Sequence, residues 1–204
     1  MKIVLASNNA GKLAELQTLF APLGMTLVRQ SELNIPEAAE PFKTFVENAL
    51  AKARHAAQLS GMPALADDAG LCVDAFGGQP GVDTAYYATR FGYPKGDDTN
   101  VTALLEQMQG IDNRRAAMVS TLVAVRSADD PEPLIAVGRV VVQITPERRG
   151  TNGFGFDPVM LLPEFGKTFA ELPPEVKNAN SHRGRAAQAM LALMRERWLD
   201  SAAP

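Results

Sequence analysis

Cysteine is almost missing. Cys72 is the only one in 204 residues, so no intramolecular disulfide can form, and a reducing cytoplasm is the simpler home. An excess of one charge is missing too. Twenty basic residues face 23 acidic ones, for a net charge of −3 without any block of like sign. That excludes the basic footprint of a nucleic-acid binder. No apolar run reaches membrane-spanning length, and the opening Lys2-Ile3-Val4-Leu5 is too short for a signal peptide. Internal repeats and low-complexity linkers are absent. What remains is a chain that is 46% hydrophobic, enough to bury a core as one domain or two closely joined lobes. A soluble, cytoplasmic protein is expected.

Along the chain, strands and helices alternate. "KIVLA" reads as a buried strand, and Leu13, Leu16, Leu19 and Phe20 recur at helical spacing until Pro22 and Gly24. "MTLVRQ" reads as a second strand, followed by the loop "SELNIPEAAEP". Thr44 can cap a helix running to about Leu59, with Gly61 ending it and Phe45, Ala49, Ala53, Ala56 and Leu59 on one face. "ALADD" and "LCVDA" read as strand segments on either side of a turn at Ala69-Gly70, with Cys72 packed in the core rather than acting as a nucleophile. About two dozen residues follow, "FGGQPGVDTAYYATRFGYPKGDD", with no clear period; ordered loops of that length are usually functional. A helix is expected over 98–108. "AAMVSTLVAV" and "PLIAVGRVVVQI" read as neighbouring antiparallel strands, because the link between them is too short for a crossover helix. "VMLL" reads as a short strand, and Ser181 begins a last helix to about Trp198. The stretch 114–145 reads as a β-rich lobe.

Several stretches can carry chemistry. "ASNNAGKL" follows the first strand and ends in Gly-Lys, but a Walker loop would need Gly at Ala6 and a hydroxyl at Leu13. Ser7, Asn8 and Asn9 are turn formers, and Lys12 opens a helix. The turn is therefore either a plain cap or an anion site at a helix N-terminus. "ADDAG" sets Asp67 and Asp68 side by side, and strand alternation points them to opposite sides, so one at most faces a given site directly. Glu47, Asn48 and Lys52 interrupt an apolar helix; Asn48, four residues before Lys52, cannot pair its charge. In "NGFGFDP", Phe154 and Phe156 are either wedges into the core or a platform for a planar base, with glycines allowing close backbone approach. "KNANSHRGRA" brings Lys177, His182 and Arg183 to a helix start, the end where the dipole disfavours cations. Such a cluster makes sense if an anion or an acceptor-rich ligand is expected there.

Taken together, these stretches resemble the inosine triphosphate pyrophosphatase family, also called the XTP/dITP or non-standard purine nucleotide pyrophosphatases. "SNNAGK" resembles its T/S-x-N-x-x-K motif, and "TFVENALAKA" its F-x-E-N-A-x-x-K-A helix. "ADDAGL" resembles its Asp-Asp-Ser-Gly-Leu turn and "GFGFDP" its Gly-Phe-Gly-Tyr-Asp-Pro loop. "SHRG" is identical to the family form, and "GGQPGV" and "GKTFAEL" fit as well. The motifs occur in order from residue 3 to about residue 190.

The resemblance implies an α/β fold with a mixed, twisted sheet flanked by helices, its two lobes around a central cleft. It implies a homodimer that uses magnesium. The reaction would cut a nucleoside triphosphate between its α- and β-phosphates. Deaminated purine nucleotides (ITP, dITP, XTP) would be the substrates, kept out of DNA and RNA in this way. Ser7, Asn8, Asn9, Ala10, Gly11 and Lys12 would hold the triphosphate, with Lys52 as a further phosphate contact. Asp68 matches the general base and a magnesium ligand, and Glu40 falls where the family has a metal-linked glutamate. Phe154, Gly155, Phe156, Asp157, Lys177, His182 and Arg183 would form the base pocket. Ala69 stands where serine is usual, keeping the backbone amide without the hydroxyl. Phe156 replaces tyrosine, and Asn152 stands where glycine is common. Tyr86 stands where an arginine is common, with Arg90 or Lys95 as possible substitutes. A Maf-like pyrophosphatase with other base specificity and a non-catalytic nucleotide-binding module are the alternatives; the intact "SHRG" argues against the first and the presence of Lys12 and Asp68 against the second.

Overall fold

The computed structural model describes residues 1–21 and 24–199. Pro22, expected to stop the first helix, lies outside the described residues. The elements run β1 (Lys2–Leu5), α1 (Ala10–Phe20), β2 (Thr26–Arg29), α2 (Phe45–Ser60), β3 (Ala64–Val73), α3 (Asp97–Gln107), β4 (Arg115–Val125), β5 (Leu134–Ile144), β6 (Met160–Leu162), β7 (Lys167–Thr168), α4 (Pro174–Asn180) and α5 (His182–Met194). The seven strands form one sheet in the order β2-β1-β3-β4-β5-β6-β7. β1 pairs parallel with β2 and β3, whereas β5–β6 and β6–β7 pair antiparallel. The sheet is mixed, as expected of an α/β fold, and β4 and β5 are neighbours. No helix among the described residues is long and apolar enough to cross a membrane.

The chain divides into two compact units. The first comprises Met1–Asp68, Ser120–Gly138 and the chain from His182 on; the second comprises Ala69–Val119 and Arg139–Ser181.

In the first unit, strand alternation sorts side chains onto two helix-covered faces. Ile3, Leu5, Leu65, Leu122 and Ala124 join Leu16 and Phe20 of α1 and Ala186, Ala187 and Met190 of α5 in one core. Their neighbours along the strands, Val4, Ala64, Ala66, Val123 and Val125, meet Ala49, Ala53, Ala56 and Ala57 of α2 in the other. Alanines bring α2 close to the strands at little side-chain entropy. The expected apolar face of α2 loses one member: Leu59, in the last turn, is exposed, while Asn48 and Lys52 are buried. Thr44 does cap this helix, its hydroxyl accepting from the Glu47 amide, and Gly61 closes it in the left-handed region at φ 67°. Gly138 of β5 is obligatory for packing. A Cβ there would lie 1.9 Å from the His182 carbonyl oxygen and 2.5 Å from the Ala186 nitrogen, so only glycine lets α5 approach.

The second unit has its own core, in which Leu71 and Val73 of β3 meet Leu104, Met108, Val142, Phe156 and Phe169. Three expectations change here. β3 is one unbroken strand through Ala69-Gly70, so no turn separates "ALADD" from "LCVDA". Cys72 is half-buried rather than in the core, and burial pushes its thiol up, away from nucleophile chemistry. The aperiodic stretch after Phe76 contains a 3₁₀ run over Gly81–Phe91. Its period of three, fixed by bonds such as Asp83 N–H to Pro80 O and Thr84 Oγ1 to Gly81 O, matches neither the helical nor the strand template.

Candidate active site

The first unit gathers seven charged side chains around the start of α1 and the middle of β3. Alternation decides which carboxylate goes where. Asp67 continues the Leu65 face, toward α1 and α5, while Asp68 continues the Ala64–Ala66 face, toward α2. As the sequence implies, the two carboxylates point apart, and each meets its own cations.

On the α2 face, Lys52 Nζ donates to Asp68 Oδ1 at 2.9 Å, Glu40 Oε2 at 3.2 Å and the Asp67 carbonyl at 3.1 Å. Three acceptors match the three ammonium protons. Asn48, one turn before Lys52, explains why Glu40 is within reach. Its carboxamide accepts from the Phe42 amide at 3.0 Å and donates to the Phe42 carbonyl at 3.3 Å, pinning the segment that carries Glu40. Burial opposes the Lys52 charge, yet the Asp68 and Glu40 carboxylates outweigh it and raise its pKa. Burial likewise pushes the Asp68 carboxyl above its ordinary range, with Lys52 pulling the other way. Asp68 Oδ2 is buried without a hydrogen-bond partner among the described residues.

On the α1/α5 face, Asp67 Oδ1 accepts from Ser120 Oγ at 2.7 Å. Its Oδ2 accepts from Arg183 Nε at 3.0 Å and lies 3.1 Å from Lys12 Nζ. Burial would raise the Asp67 carboxyl, but Lys12 and Arg183 hold it far below the carboxylate range. Burial lowers Lys12, and Asp67 offsets this only in part. Arg183 Nη1 donates to Glu15 Oε2 of α1 at 2.6 Å. The misplaced cation at the start of α5 therefore meets two carboxylates of the protein's own. Burial disfavours its charge, but Asp67 and Glu15 raise the guanidinium still further. His182 is buried in the same first turn.

The turn "SNNAGK" caps α1. Asn9 is the N-cap, its Oδ1 accepting from the Lys12 amide at 3.0 Å, and Ser7 Oγ accepts from the Asn9 amide at 3.2 Å. Asn8 Nδ2 donates to Glu37 at 3.1 Å. Ala10 and Gly11 fill the first turn of α1.

A separate cluster lies in the second unit. Lys177 Nζ donates to Asp157 Oδ2 at 2.6 Å and lies 4.8 Å from the centre of the Phe154 ring. The same carboxylate oxygen accepts from the Phe154 amide at 2.9 Å, and Asp97, at the start of α3, holds the Gly155 amide at 2.9 Å. The two aromatics split their roles. Phe156 is a core wedge and offers the site only backbone, whereas Phe154 is half-buried and keeps its ring. Lys177 is not at the start of the last helix. It lies in the last turn of α4, a helix the sequence did not suggest, where the dipole favours a cation. Ala69 is half-buried within β3. Tyr86 is exposed, and Lys95 Nζ stands 4.0 Å over its ring, while Arg90 is taken up by Asp83 and Gln79. Of the two possible substitutes for an arginine at 86, Lys95 is the one beside Tyr86.

Sequence reading missed Glu15, Ser120 and Asp97. Each lies outside the quoted motifs, and only its distant partner marks it.

A mixed α/β sheet with two buried aspartates, each paired with a lysine of its own beside a capped helix start, makes the candidate site of a hydrolase. The comparisons narrow the class. A model of the Ham1 family matches residues 3–193, and this chain belongs to that family. A dITP/XTP pyrophosphatase from Paracidovorax citrulli (strain AAC00-1) is 79% identical over 198 residues, covering 97% of this chain and 100% of that relative. One from Albidiferax ferrireducens is 78% identical over 199 residues, covering 98% of this chain and 100% of that relative. The solved structure of a HAM1 protein from Coxiella burnetii superposes with a TM-score of 0.87 at 41% identity, covering 96% of this chain and 99% of the other. The resemblance drawn from the motifs holds over nearly the whole chain.

Proposed function

We infer that this chain is a nucleoside triphosphate pyrophosphatase that hydrolyses deaminated purine nucleotides, dITP, ITP and XTP, to the monophosphate and pyrophosphate. In the cell this keeps them out of DNA and RNA. The observation that carries the chemistry is Asp68: Lys52 occupies one carboxylate oxygen and the other is buried and unpartnered among the described residues. Relatives about four-fifths identical along the whole chain, bearing the dITP/XTP pyrophosphatase name, supply the substrate class.

Asp68 acts as the general base. Its Oδ2 takes a proton from water as the water oxygen bonds to the α-phosphorus, and the α–β bridging oxygen leaves with pyrophosphate. Lys52 fixes the carboxylate's rotation, and Lys12 is the point charge for the triphosphate. Magnesium fits the donor set. Lys12, Lys52 and Arg183 give three positive charges against four carboxylates (Glu15, Glu40, Asp67 and Asp68), an excess of one negative charge. No cluster of three His, Cys, Asp or Glu that could hold a metal occurs among the described residues. Magnesium is commonly held by one or two carboxylates together with substrate phosphates, so Asp68 and Glu40 suffice. When bound, it would spread the charge that develops on the phosphoryl oxygens.

On its own side of the chemistry, Phe154 suits a planar purine. Lys177, a pure donor 4.8 Å from the centre of that ring, favours a 6-oxo group that accepts over the donor that adenine offers there. Cytoplasmic residence fits the single cysteine, and a homodimer fits the exposed Tyr86 and Phe91; sedimentation giving the 21.9 kDa monomer mass at micromolar protein would remove the dimer. Assaying purified protein against a nucleoside triphosphate panel with pyrophosphate detection tests the whole reading. Fastest release from ITP, dITP or XTP supports it. Fastest release from other bases favours a Maf-like specificity, and binding without release a non-catalytic module.

A further inference from the structure

Asn48, Lys52 and His55 recur on α2 at i, i+4 and i+7, so they form one polar stripe along that helix. Each holds a point on the segment that precedes the helix, and the points run in reverse order. Asn48 takes both backbone groups of Phe42, accepting from its amide at 3.0 Å and donating to its carbonyl at 3.3 Å. Lys52 donates to Glu40 Oε2 at 3.2 Å. His55 Nε2 lies 3.0 Å from the Pro36 carbonyl oxygen, which can only accept, so the ring donates through Nε2. The segment therefore runs antiparallel along the stripe, with Glu40 between the clips at 36 and 42. These clips stand in for packing. Ile35 is buried in the core that α2 shares, but none of the residues 36–44 is buried, and Phe42 is 42% exposed. Asn48, by contrast, is 1% exposed, a buried carboxamide spent on this segment. A stretch without buried side chains keeps its place through such bonds and opens locally once they are lost.

We propose that Asn48 and His55 are positioning residues for Glu40, fixing both ends of the segment that presents its carboxylate, beside that of Asp68, to the divalent cation. The proposal rests on the reading of Glu40 as a metal-holding residue. It gives a role to the buried asparagine that interrupts an apolar helix, and to a histidine outside every quoted motif.

The test compares Asn48→Ala, His55→Leu, His55→Gln, Glu40→Gln and the double variant His55→Leu/Glu40→Gln, each checked for a cooperative melt. One readout is the Mg2+ concentration that gives half-maximal pyrophosphate release from ITP. The other is binding of Mn2+ alone, without nucleotide, followed by electron paramagnetic resonance. Asn48→Ala and His55→Leu should each raise the Mg2+ requirement by roughly threefold to tenfold, with kcat at saturating Mg2+ falling much less. Mn2+ binding should weaken by the same factor. His55→Gln keeps a donor for the Pro36 carbonyl and should recover most of the loss. In the Glu40→Gln background, His55→Leu should add almost nothing, because the carboxylate it positions is already gone. His55 is only half-buried, so its variants decide the question even if Asn48→Ala fails to fold. Losses that multiply in the double variant would overturn the proposal. So would effects confined to the melting temperature, or a Glu40→Gln protein with the metal dependence of wild type. Wild-type protein that releases no pyrophosphate from any nucleotide would sink the proposed function, while the Mn2+ titrations would still decide the role of Asn48 and His55.

Discussion

The Lys52 ammonium lies 2.9 Å from Asp68 Oδ1, while Oδ2 is buried without a hydrogen-bond partner among the described residues, so one cation fixes the rotation of the carboxylate proposed as the base. The direction of the pH effect follows. Burial raises the Asp68 pKa, and Lys52 is the largest influence pulling it down. A base must be deprotonated, so activity falls as pH drops through that value. In Lys52→Met the downward pull is lost, and the acid limb of kcat/KM should move to higher pH. Turnover at neutral pH should also fall, by roughly tenfold to hundredfold, the scale of a charged hydrogen bond. An acid limb that stays in place would mean Lys52 serves phosphate alone.

Asp68→Asn preserves shape but cannot accept the water's proton. Turnover should drop by about 10²–10⁴-fold with melting temperature and nucleotide binding nearly intact. Removing magnesium with a chelator should silence the wild-type enzyme, and adding it back should restore it. Near-normal turnover in Asp68→Asn would move the base elsewhere.

Asp67 carries a different burden. Strand alternation alone suggests that changing it costs little, because it points away from Asp68. The structure makes it the hub of Lys12, Arg183 and Ser120. Asp67→Asn takes the shared charge from buried Arg183 and half-buried Lys12, a loss of about 3 kcal/mol at neutral pH. Its folded pKa lies far below the unfolded value, so its stabilisation is complete above an unfolded pKa of roughly 4 and is lost progressively as pH falls. The gap in stability between wild type and Asp67→Asn should therefore be widest near neutrality and narrow below about pH 4. A gap independent of pH would show that the carboxylate charge is not what matters.

What the sequence made legible follows a physical rule. Asp68, Lys12 and Lys52 stand inside local patterns, a strand end, a helix start and an apolar helix face, which single residues can betray. The alternation of Asp67 and Asp68 survived because β3 is regular through both. Glu15, Ser120 and Asp97 were illegible because their partners lie 168, 53 and 58 residues away, and nothing local distinguishes them from a solvated glutamate, a strand serine or a helix-start aspartate. Ala69-Gly70 imitates a turn by composition, yet pairing within the sheet keeps it extended. The 3₁₀ run over Gly81–Phe91 was invisible to templates built on periods of two and 3.6.

Gly153 offers the sharpest test of the cluster in the second unit. It sits at φ 79°, where glycine is favoured, and a Cβ there would lie 2.0 Å from Asp157 Oδ2 and 3.1 Å from Lys177 Nζ. Gly155 has a similar backbone, at φ 62°, but a Cβ on it would meet nothing within 4 Å. The two positions separate backbone strain from collision. Gly155→Ala should cost only the left-handed penalty, about 1–2 kcal/mol. Gly153→Ala must in addition drive the Asp157 carboxylate off Lys177 and off the Phe154 amide, disrupting a buried pair worth about 3–5 kcal/mol when broken. Its melting temperature should fall well below that of Gly155→Ala. If Lys177 and Phe154 recognise the base, the preference for ITP over ATP should also fall, by roughly tenfold, in Gly153→Ala and hold in Gly155→Ala. Equal stability losses would show that strain alone governs both glycines. An unchanged preference in a folded Gly153→Ala would remove the Asp157–Lys177 pair from base recognition.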